Sequence, residues 1–183
     1  MSETIRLSRD CQAVQIPLGH VMTLAEGTAV SVVQSLGGNF TVHAPEGLFR
    51  IAERDADALG MQQATSLMEE ICKKPVSAGP ADEKQLWQCL KSCFDPEIPV
   101  NIVDLGLIYD LQLETLPSGN SKVAVKMTLT APGCGMGSVI AEDARQKLLY
   151  IEGVEDAVVE IVWDPPWHQS MITADGRRIL GLD

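Results

Sequence analysis

The stretch that decides the fold covers residues 122–149 and reads KVAVKMTLTAPGCGMGSVIAEDARQKLL. Apolar residues alternate with polar ones in KVAVKMTLT, which is the period of a half-buried strand. Residues 138–150 then repeat apolar residues at helical spacing, so they form a predicted helix. The apolar stripe of that helix consists of Ile140, Ala144 and Leu148. A strand that passes through a glycine-rich loop into a helix is therefore the centre of this region.

The flanking segments extend this pattern into a domain over residues 82–183. GLIYDLQLE, residues 106–114, also alternates, and the turn TLPSGNS joins it to KVAVKMTLT as a predicted antiparallel hairpin. Asp82 can cap a preceding amphipathic helix, and AVVEIVW, residues 157–163, supplies a third strand. The order helix, strand, strand, helix, strand predicts a two-layer α/β domain, with helices on one face of the sheet.

The segment before this domain is β-rich. Short apolar runs, namely HVMTL, AVSVV, NFTVHA and LFRIA, are separated by glycine and proline turn signals, which predicts a small β-rich N-terminal domain over residues 1–73. Helical spacing predicts that residues 61–73 end this domain as a helix. Residues 74–81 are rich in Pro, Gly and Ala and form a predicted linker, so the whole chain belongs to the α+β class.

Charge and hydropathy exclude two classes of partner. The formal net charge is −11 with a pI near 4.6, which opposes binding to nucleic acid because phosphates are neutralised by clustered Lys and Arg. No window reaches the length of apolar sequence that spans a membrane, and the N-terminus lacks the order of a signal peptide. We therefore expect a cytoplasmic protein that binds neither nucleic acid nor membrane.

Cys134 is the main candidate functional residue. It lies between Gly133 and Gly135, with Gly137 close behind, at the passage from strand to helix. Unsatisfied backbone N–H groups and the helix dipole at this end stabilise an anion, and glycines leave the sulfur unshielded, so the setting favours a reactive thiolate. The alternative is an ordinary glycine-rich turn in which a small cysteine is buried. The chain has five cysteines and no CxxC pair, so we expect free thiols.

An acidic loop, DPEIPVNIVDLG at residues 95–106, precedes the first strand of the hairpin. The start of one antiparallel strand and the end of its neighbour lie at the same sheet edge, so Asp95, Glu97 and Asp104 are expected to face the Cys134 loop. They form the predicted acidic support of the site. The alternative is that Asp95 and Asp104 are turn and capping residues that satisfy local N–H groups.

WDPPWHQS, residues 163–170, follows the third strand. Trp163 continues the apolar set of that strand and is predicted to lie in the core. Trp167 is the candidate lid or partner contact. A histidine directly after a turn is more often a surface or capping residue, and we expect this of His168.

DPEIPVNIVDLGLIYDLQL, MTLTAPGCGMG and WDPPW, in this order, resemble the PaaD/SufT family of iron–sulfur assembly proteins. The resemblance covers residues 82–183, and the N-terminal module makes the chain similar to the long form of this family, which is associated with the SUF machinery. It implies the small α/β iron–sulfur assembly domain, a reactive cysteine at Cys134, and the family's acidic residues at Asp95, Glu97 and Asp104. The implied role is to help a cluster reach apo-protein clients.

An iron–sulfur cluster needs four ligands, whereas this domain offers one convincing thiolate. The sequence thus leads to a transient cluster or iron site that a second protomer, a SUF-type scaffold or carrier, a small thiol or Glu97 completes. Two alternatives stay open: a metal-free adaptor between scaffold and client, and, ranked last, a cysteine-dependent enzyme with His168 as base. We expect a maturation factor that is not an enzyme.

Overall fold

The computed structural model describes residues 4–61 and 79–182 and has the expected α+β composition. These residues divide into two compact units. The first comprises residues 4–61 together with Cys134–Met136, and the second comprises residues 79–133 and 137–182. The predicted helix over residues 61–73 and most of the predicted linker lie outside the described ranges, so the predicted domain limits stay a prediction.

The first unit is an antiparallel sheet of six strands. The strands are β1 (Thr4–Arg6), β2 (Cys11–Ile16), β3 (Val21–Leu24), β4 (Ala29–Leu36), β5 (Asn39–Ala44) and β6 (Gly47–Ile51), and a 3-10 helix (Glu53–Leu59) follows them. Their order across the sheet is β1-β4-β5-β6-β2-β3. The four predicted apolar runs became β3 to β6, whereas β1 and β2 were not predicted.

Alternation along the strands builds the core of the first unit. Val42, Phe49 and Ile51 are fully buried and point to the same side of the sheet, and Ala56 from the 3-10 helix is buried with them. Burial of one such large side chain stabilises the fold by about 1.5–3 kcal/mol. The first unit therefore has a hydrophobic core of its own.

The second unit contains a three-stranded sheet and three α-helices among its described residues. Its elements are α1 (Glu83–Leu90), β7 (Ile108–Thr115), β8 (Ser121–Met127), α2 (Gly137–Leu149), β9 (Val154–Ile161), a 3-10 helix (Gln169–Met171) and α3 (Ala174–Leu180). The sheet order is β7-β8-β9. The antiparallel β7–β8 hairpin is confirmed, and β9 pairs with β8 in parallel after the α2 crossover.

The residue pattern of the second unit explains its packing. Asp82 caps α1 by accepting a hydrogen bond from the Lys84 backbone N–H at 2.9 Å. The apolar faces of α1, β8 and α2 are buried as their periods predict. The buried side chains of these faces are Leu86, Cys89, Leu90, Val123, Val125, Met127, Ile140, Ala144 and Leu148. This core holds the end of β8 and the start of α2, the two elements on either side of the cysteine loop.

One irregularity changes the first strand of the hairpin. The pairing register between β7 and β8 shifts between Ile108 and Asp110. Ile108 therefore pairs with Met127, and the simple alternation predicted for this strand is interrupted at Tyr109.

None of the helices in the described part of the chain is long and apolar enough to span a membrane.

Candidate functional site

Cys134 differs from the other cysteines by its exposure. Cys11, Cys89 and Cys93 are buried, whereas Cys134 is only partly buried. Burial raises the pKa of the Cys11 thiol, which keeps it protonated and unreactive. Of the four cysteines in the described ranges, Cys134 alone is thus accessible to a reagent or a partner; Cys72 lies outside these ranges.

The loop around Cys134 is fixed by glycines with different functions. Gly133 has a φ of +82°, a left-handed conformation that glycine adopts without strain, and a Cβ there would meet nothing within 4 Å. Gly137, the first residue of α2, packs so closely on Leu129 that a Cβ would overlap the Leu129 side chain. The loop conformation explains the first glycine, and core packing of the helix start explains the second.

The residues next to Cys134 belong to the first unit. Residues 134–136 group with that unit, whereas Gly133 and Gly137 belong to the second. Met136, two residues after Cys134, is fully buried. Burial of Met136 therefore fixes the chain directly after the thiol.

Asp95 is a buried carboxyl group in the predicted acidic loop. Its Oδ1 accepts a hydrogen bond from the Glu97 backbone N–H at 2.9 Å, which closes a local turn. Burial raises the pKa of Asp95, while the Glu97 amide opposes that rise and the Glu97 carboxylate adds to it. Glu97 itself is exposed. The turn-forming alternative thus describes the contacts of Asp95, and Glu97 is the more accessible carboxylate of the loop.

Asp104 lies at a junction of three segments of the second unit. Asn101 donates from Nδ2 to Asp104 Oδ2 at 2.7 Å, and Thr173 donates from Oγ1 to Asp104 Oδ1 at 3.1 Å. Lys91 forms an ion pair with the same carboxylate at 3.5 Å. Both carboxylate oxygens therefore have side-chain partners that hold the fold, whereas the alternative from the sequence had Asp104 accepting from local backbone N–H groups.

Sequence reasoning missed the residues that surround Asp104. Asn101 also accepts from the backbone N–H groups of Val103 and Asp104, at 3.1 and 2.8 Å. The sequence signal for this turn was an Asn three residues before an Asp, a pattern that forms local side-chain turns. Thr173 lies 69 residues from Asp104, and no local pattern could have identified it.

The two tryptophans of the WDPPW motif have different environments in the structure. Trp163 is 46% exposed, so the prediction that it lies in the core is wrong: it lies two residues beyond the end of β9, where the alternation of the strand no longer determines its side. Trp167 is partly buried and donates from Nε1 to the Leu105 carbonyl oxygen at 2.8 Å. His168 is exposed, as expected. A role for Trp167 in partner binding stays a prediction.

The donor atoms of the site limit what it can hold. Within residues 4–61 and 79–182, no group of three or more His, Cys, Asp or Glu side chains could bind a metal ion. A cluster that needs four ligands would find one accessible cysteine sulfur here. The described residues thus do not by themselves supply a four-ligand cluster site.

Comparison with known proteins places these features in a family. A family model described as iron–sulfur cluster assembly protein matches residues 83–161. An Fe-S protein maturation auxiliary factor from Porphyromonas gingivalis is 36% identical over 100 residues, which is 55% of this chain and 91% of the relative. The Fe-S protein maturation auxiliary factor SufT from Staphylococcus aureus is 36% identical over 88 residues, which is 48% of this chain and 96% of the relative.

A solved structure supports the same grouping. The crystal structure of a domain of unknown function, DUF59, from Bacillus anthracis superposes with a TM-score of 0.50 at 32% identity. The superposition covers 55% of this chain and 92% of that chain. Nearly the whole length of these relatives is thus matched by about half of this chain.

Proposed function

Because this chain belongs to the iron–sulfur cluster assembly protein family, we propose that it is a maturation factor that passes a cluster to apo-proteins through Cys134. The observation that carries the proposal is the partial exposure of Cys134, in contrast to the buried Cys11, Cys89 and Cys93. An accessible thiolate can enter and leave the ligand set of a cluster, whereas a buried thiol cannot.

The ligand count defines the mechanism. Cys134 supplies one of four ligands, and the others come from a SUF-type scaffold or carrier, from a client, from a small thiol or from Cys134 of a second protomer. Glu97 is the candidate ligand from the chain itself, because it is exposed while Asp95 and Asp104 form structural bonds. Incomplete ligation by this chain makes the cluster easy to release, as transfer requires. We propose that this takes place in the cytoplasm and without enzymatic turnover.

Anaerobic reconstitution with iron and sulfide tests direct ligation. We expect the wild-type chain to bind iron and to develop visible absorption, and Cys134→Ala to lose most of both. Cys89→Ala is the matched control, because this cysteine is buried in the core of the second unit. Equal iron content and equal absorption in wild type and Cys134→Ala would rule out direct ligation.

The second candidate function is a metal-free adaptor that joins scaffold and client. It is favoured by the structural bonds of Asp95 and Asp104, which tie two of the three predicted acidic residues to the fold. Complementation of cells that lack this protein separates the two functions. Full activation of clients by Cys134→Ser supports the adaptor, and lost activation with normal client binding supports transfer through the thiol.

An enzyme with Cys134 as nucleophile and His168 as base ranks last. We measure the pH dependence of Cys134 alkylation in wild type and His168→Ala. Two identical profiles would exclude the pair, and a profile that loses its steep rise in His168→Ala would support it.

A further inference from the structure

The last segment of the second unit is tied to the turn that precedes β7. We call this segment, residues 163–182, the C-terminal strap, and we call residues 101–107 the underlying turn. The Thr173 backbone N–H donates to the Asp104 carbonyl oxygen at 2.9 Å, next to the bond from the Thr173 hydroxyl group to the Asp104 carboxylate. The indole N–H of Trp167 adds a bond at a second position. Hydrogen bonds thus hold the strap on the underlying turn.

Two glycines let the strap and the underlying turn approach closely. A Cβ on Gly176, in α3, would lie 2.7 Å from the Asp104 carbonyl oxygen. A Cβ on Gly106 would overlap the backbone carbonyl group of Met171. Each segment therefore has a glycine where the backbone of the other lies against it, and the strap covers this side of the underlying turn.

The underlying turn is also held by bonds that do not involve the strap. The Ile102 N–H donates to the Cys93 carbonyl oxygen at 2.9 Å, and the Leu107 N–H donates to the Ile102 carbonyl oxygen at 3.0 Å. Just after β8, the Thr128 N–H donates to the Leu107 carbonyl oxygen at 2.8 Å. Ile102 and Leu107 are both fully buried. The core of the second unit therefore fixes the underlying turn independently of the strap.

The strap, in contrast, buries little apolar surface. Among the large apolar side chains of the strap, all of whose residues are described, Ile172 alone is buried. Trp163, Ile179 and Leu182 are exposed. Within the described ranges, α3 does not pack extensively on a strand or on another helix. A segment with so few buried apolar contacts opens at a lower free energy than the core of its unit.

We infer that the C-terminal strap is a conformational switch, which leaves the underlying turn as one body while the sheet of the second unit stays folded. The switch begins after Val162, whose N–H donates to the carbonyl oxygen of the last residue of β8 at 2.8 Å. Pro165 and Pro166 follow and have no N–H to continue the ladder. Opening frees the carbonyl oxygens of Asp104 and Leu105, which then accept from water or from a donor group of a partner.

Native-state amide hydrogen exchange in the full-length chain tests the switch. The Thr173 N–H reports the bond between strap and turn, the Leu107 N–H reports the underlying turn, and the Val125 N–H reports the central strand of the sheet. We expect the opening equilibrium constant at Thr173 to exceed those at Leu107 and Val125 by about a hundredfold or more, as for a separate unit of low stability. Equal constants at the three amides would overturn the inference.

A second amide distinguishes opening of the whole strap from fraying of α3. The Arg177 backbone N–H donates to the Thr173 carbonyl oxygen at 2.9 Å inside this helix. We expect Arg177 and Thr173 to share one opening constant, as members of one cooperative unit do. Fast exchange at Arg177 with exchange at Thr173 as slow as at Leu107 would assign the motion to fraying and would overturn the inference.

Gly176→Ala weakens the contact between strap and turn without weakening α3. The added Cβ collides with the Asp104 carbonyl oxygen, whereas alanine favours the helix more than glycine does. We expect about tenfold faster exchange at Thr173, the factor that ~1.4 kcal/mol of lost contact produces, and unchanged exchange at Val125. Equal acceleration at both amides would show that the strap unfolds only with the whole unit, which would overturn the inference.

Arg178→Ala is the matched control in the same helix. It removes an exposed ion pair with Asp175 at 3.0 Å, and we expect exchange at Thr173 to change by less than about twofold. A change as large as that in Gly176→Ala would assign the effect to α3 itself and would overturn the inference. Because the switch does not involve Cys134, it is independent of the proposed function and of the reconstitution experiment.

Discussion

The indole N–H of Trp167 donates to the carbonyl oxygen of Leu105 at 2.8 Å, across 62 residues of sequence. Tyr109 adds a second bond to the same C-terminal segment, from its hydroxyl group to the Pro165 carbonyl oxygen at 2.8 Å. The segment after β9 is thus attached to the turn that precedes β7 and to β7 itself. The WDPPW motif therefore has a structural function in the second unit, besides any function in binding.

The Trp167 bond can be tested by Trp167→Phe. The substitution keeps an aromatic ring and removes the donor, so we expect the free energy of unfolding to fall by about 1 kcal/mol or more. Urea denaturation measures the change. Trp163→Phe is the control, because Trp163 is 46% exposed, and we expect a change within about 0.5 kcal/mol. A larger loss in Trp163→Phe than in Trp167→Phe would contradict the assignment.

Because the Asp104 carboxylate joins three segments of the second unit, we expect even an isosteric substitution there to lower the free energy of unfolding. Asp104→Asn replaces one of the two carboxylate oxygens by an amide N–H₂ group, which faces the Nδ2 donor of Asn101 in one orientation and the Lys91 ammonium group in the other. Either orientation places two donors against each other and removes the carboxylate charge, so we expect a loss of about 1–3 kcal/mol in the free energy of unfolding, measured by urea denaturation.

The control for Asp104 is Asp156→Asn. Asp156 forms an ion pair with Lys122 at 3.3 Å on the surface of the sheet, where such pairs contribute about 0–1 kcal/mol. If Asp104→Asn proves as mild as this control, the carboxylate does not hold the junction.

The raised pKa of Asp95 predicts a pH dependence of stability. Below the ordinary aspartate pKa, both the folded and the unfolded chain bind the proton. As the pH rises above that value, the unfolded chain releases the proton first, so the folded state loses stability until the pH passes the raised pKa. We therefore expect Asp95→Asn to become more stable relative to wild type as the pH rises from about 4 to neutrality.

Glu155 provides a control of opposite sign. Hydrogen bonds from Ser118 and Asn120 lower the pKa of Glu155. Glu155 therefore stabilises the folded state at pH values above the ordinary glutamate pKa, and this stabilisation is lost as the pH falls. Urea denaturation at several pH values should show Glu155→Gln losing stability relative to wild type as the pH rises. Parallel slopes in the two variants would refute the assignment.

The packing of Gly137 predicts an overpacking penalty. A Cβ at residue 137 overlaps the Leu129 side chain and lies 3.4 Å from Ile161 Cδ1, so Gly137→Ala should destabilise the chain by about 1–3 kcal/mol. Leu129→Val should relieve the overlap in the double variant. Thermal or urea denaturation of the two single variants and the double variant measures the coupling; strictly additive losses would contradict direct contact.

Much of the secondary structure was predictable because it depends on local periods. The alternation in KVAVKMTLT identified β8, the helical stripe after the cysteine identified α2, and Asp82 identified the start of α1. The position of Cys134 in the loop between β8 and α2 follows from the same local signals. Each of these features is determined by residues a few positions apart, whose side chains share one face of a strand or helix.

The environment of the candidate site was less predictable. The sequence predicted one common function for the three glycines, the exposure of a thiol. The structure gives two of them different functions: a left-handed turn at Gly133 and a tight packing contact at Gly137. A glycine in a sequence signals that a side chain is absent. It does not say which atom occupies the space.

By itself, the sequence determined the periods of the strands and helices and the division into a β-rich region and an α/β region. It also determined that a cysteine lies just before the start of α2. Tertiary structure alone decided that Trp163 is exposed while Trp167 donates a hydrogen bond to Leu105, and that Thr173 completes the Asp104 junction. The physical reason is the separation along the sequence between the residues that are in contact. Periodicity reports which face of an element is apolar, but contacts between residues 60 or more positions apart depend on how the whole chain packs.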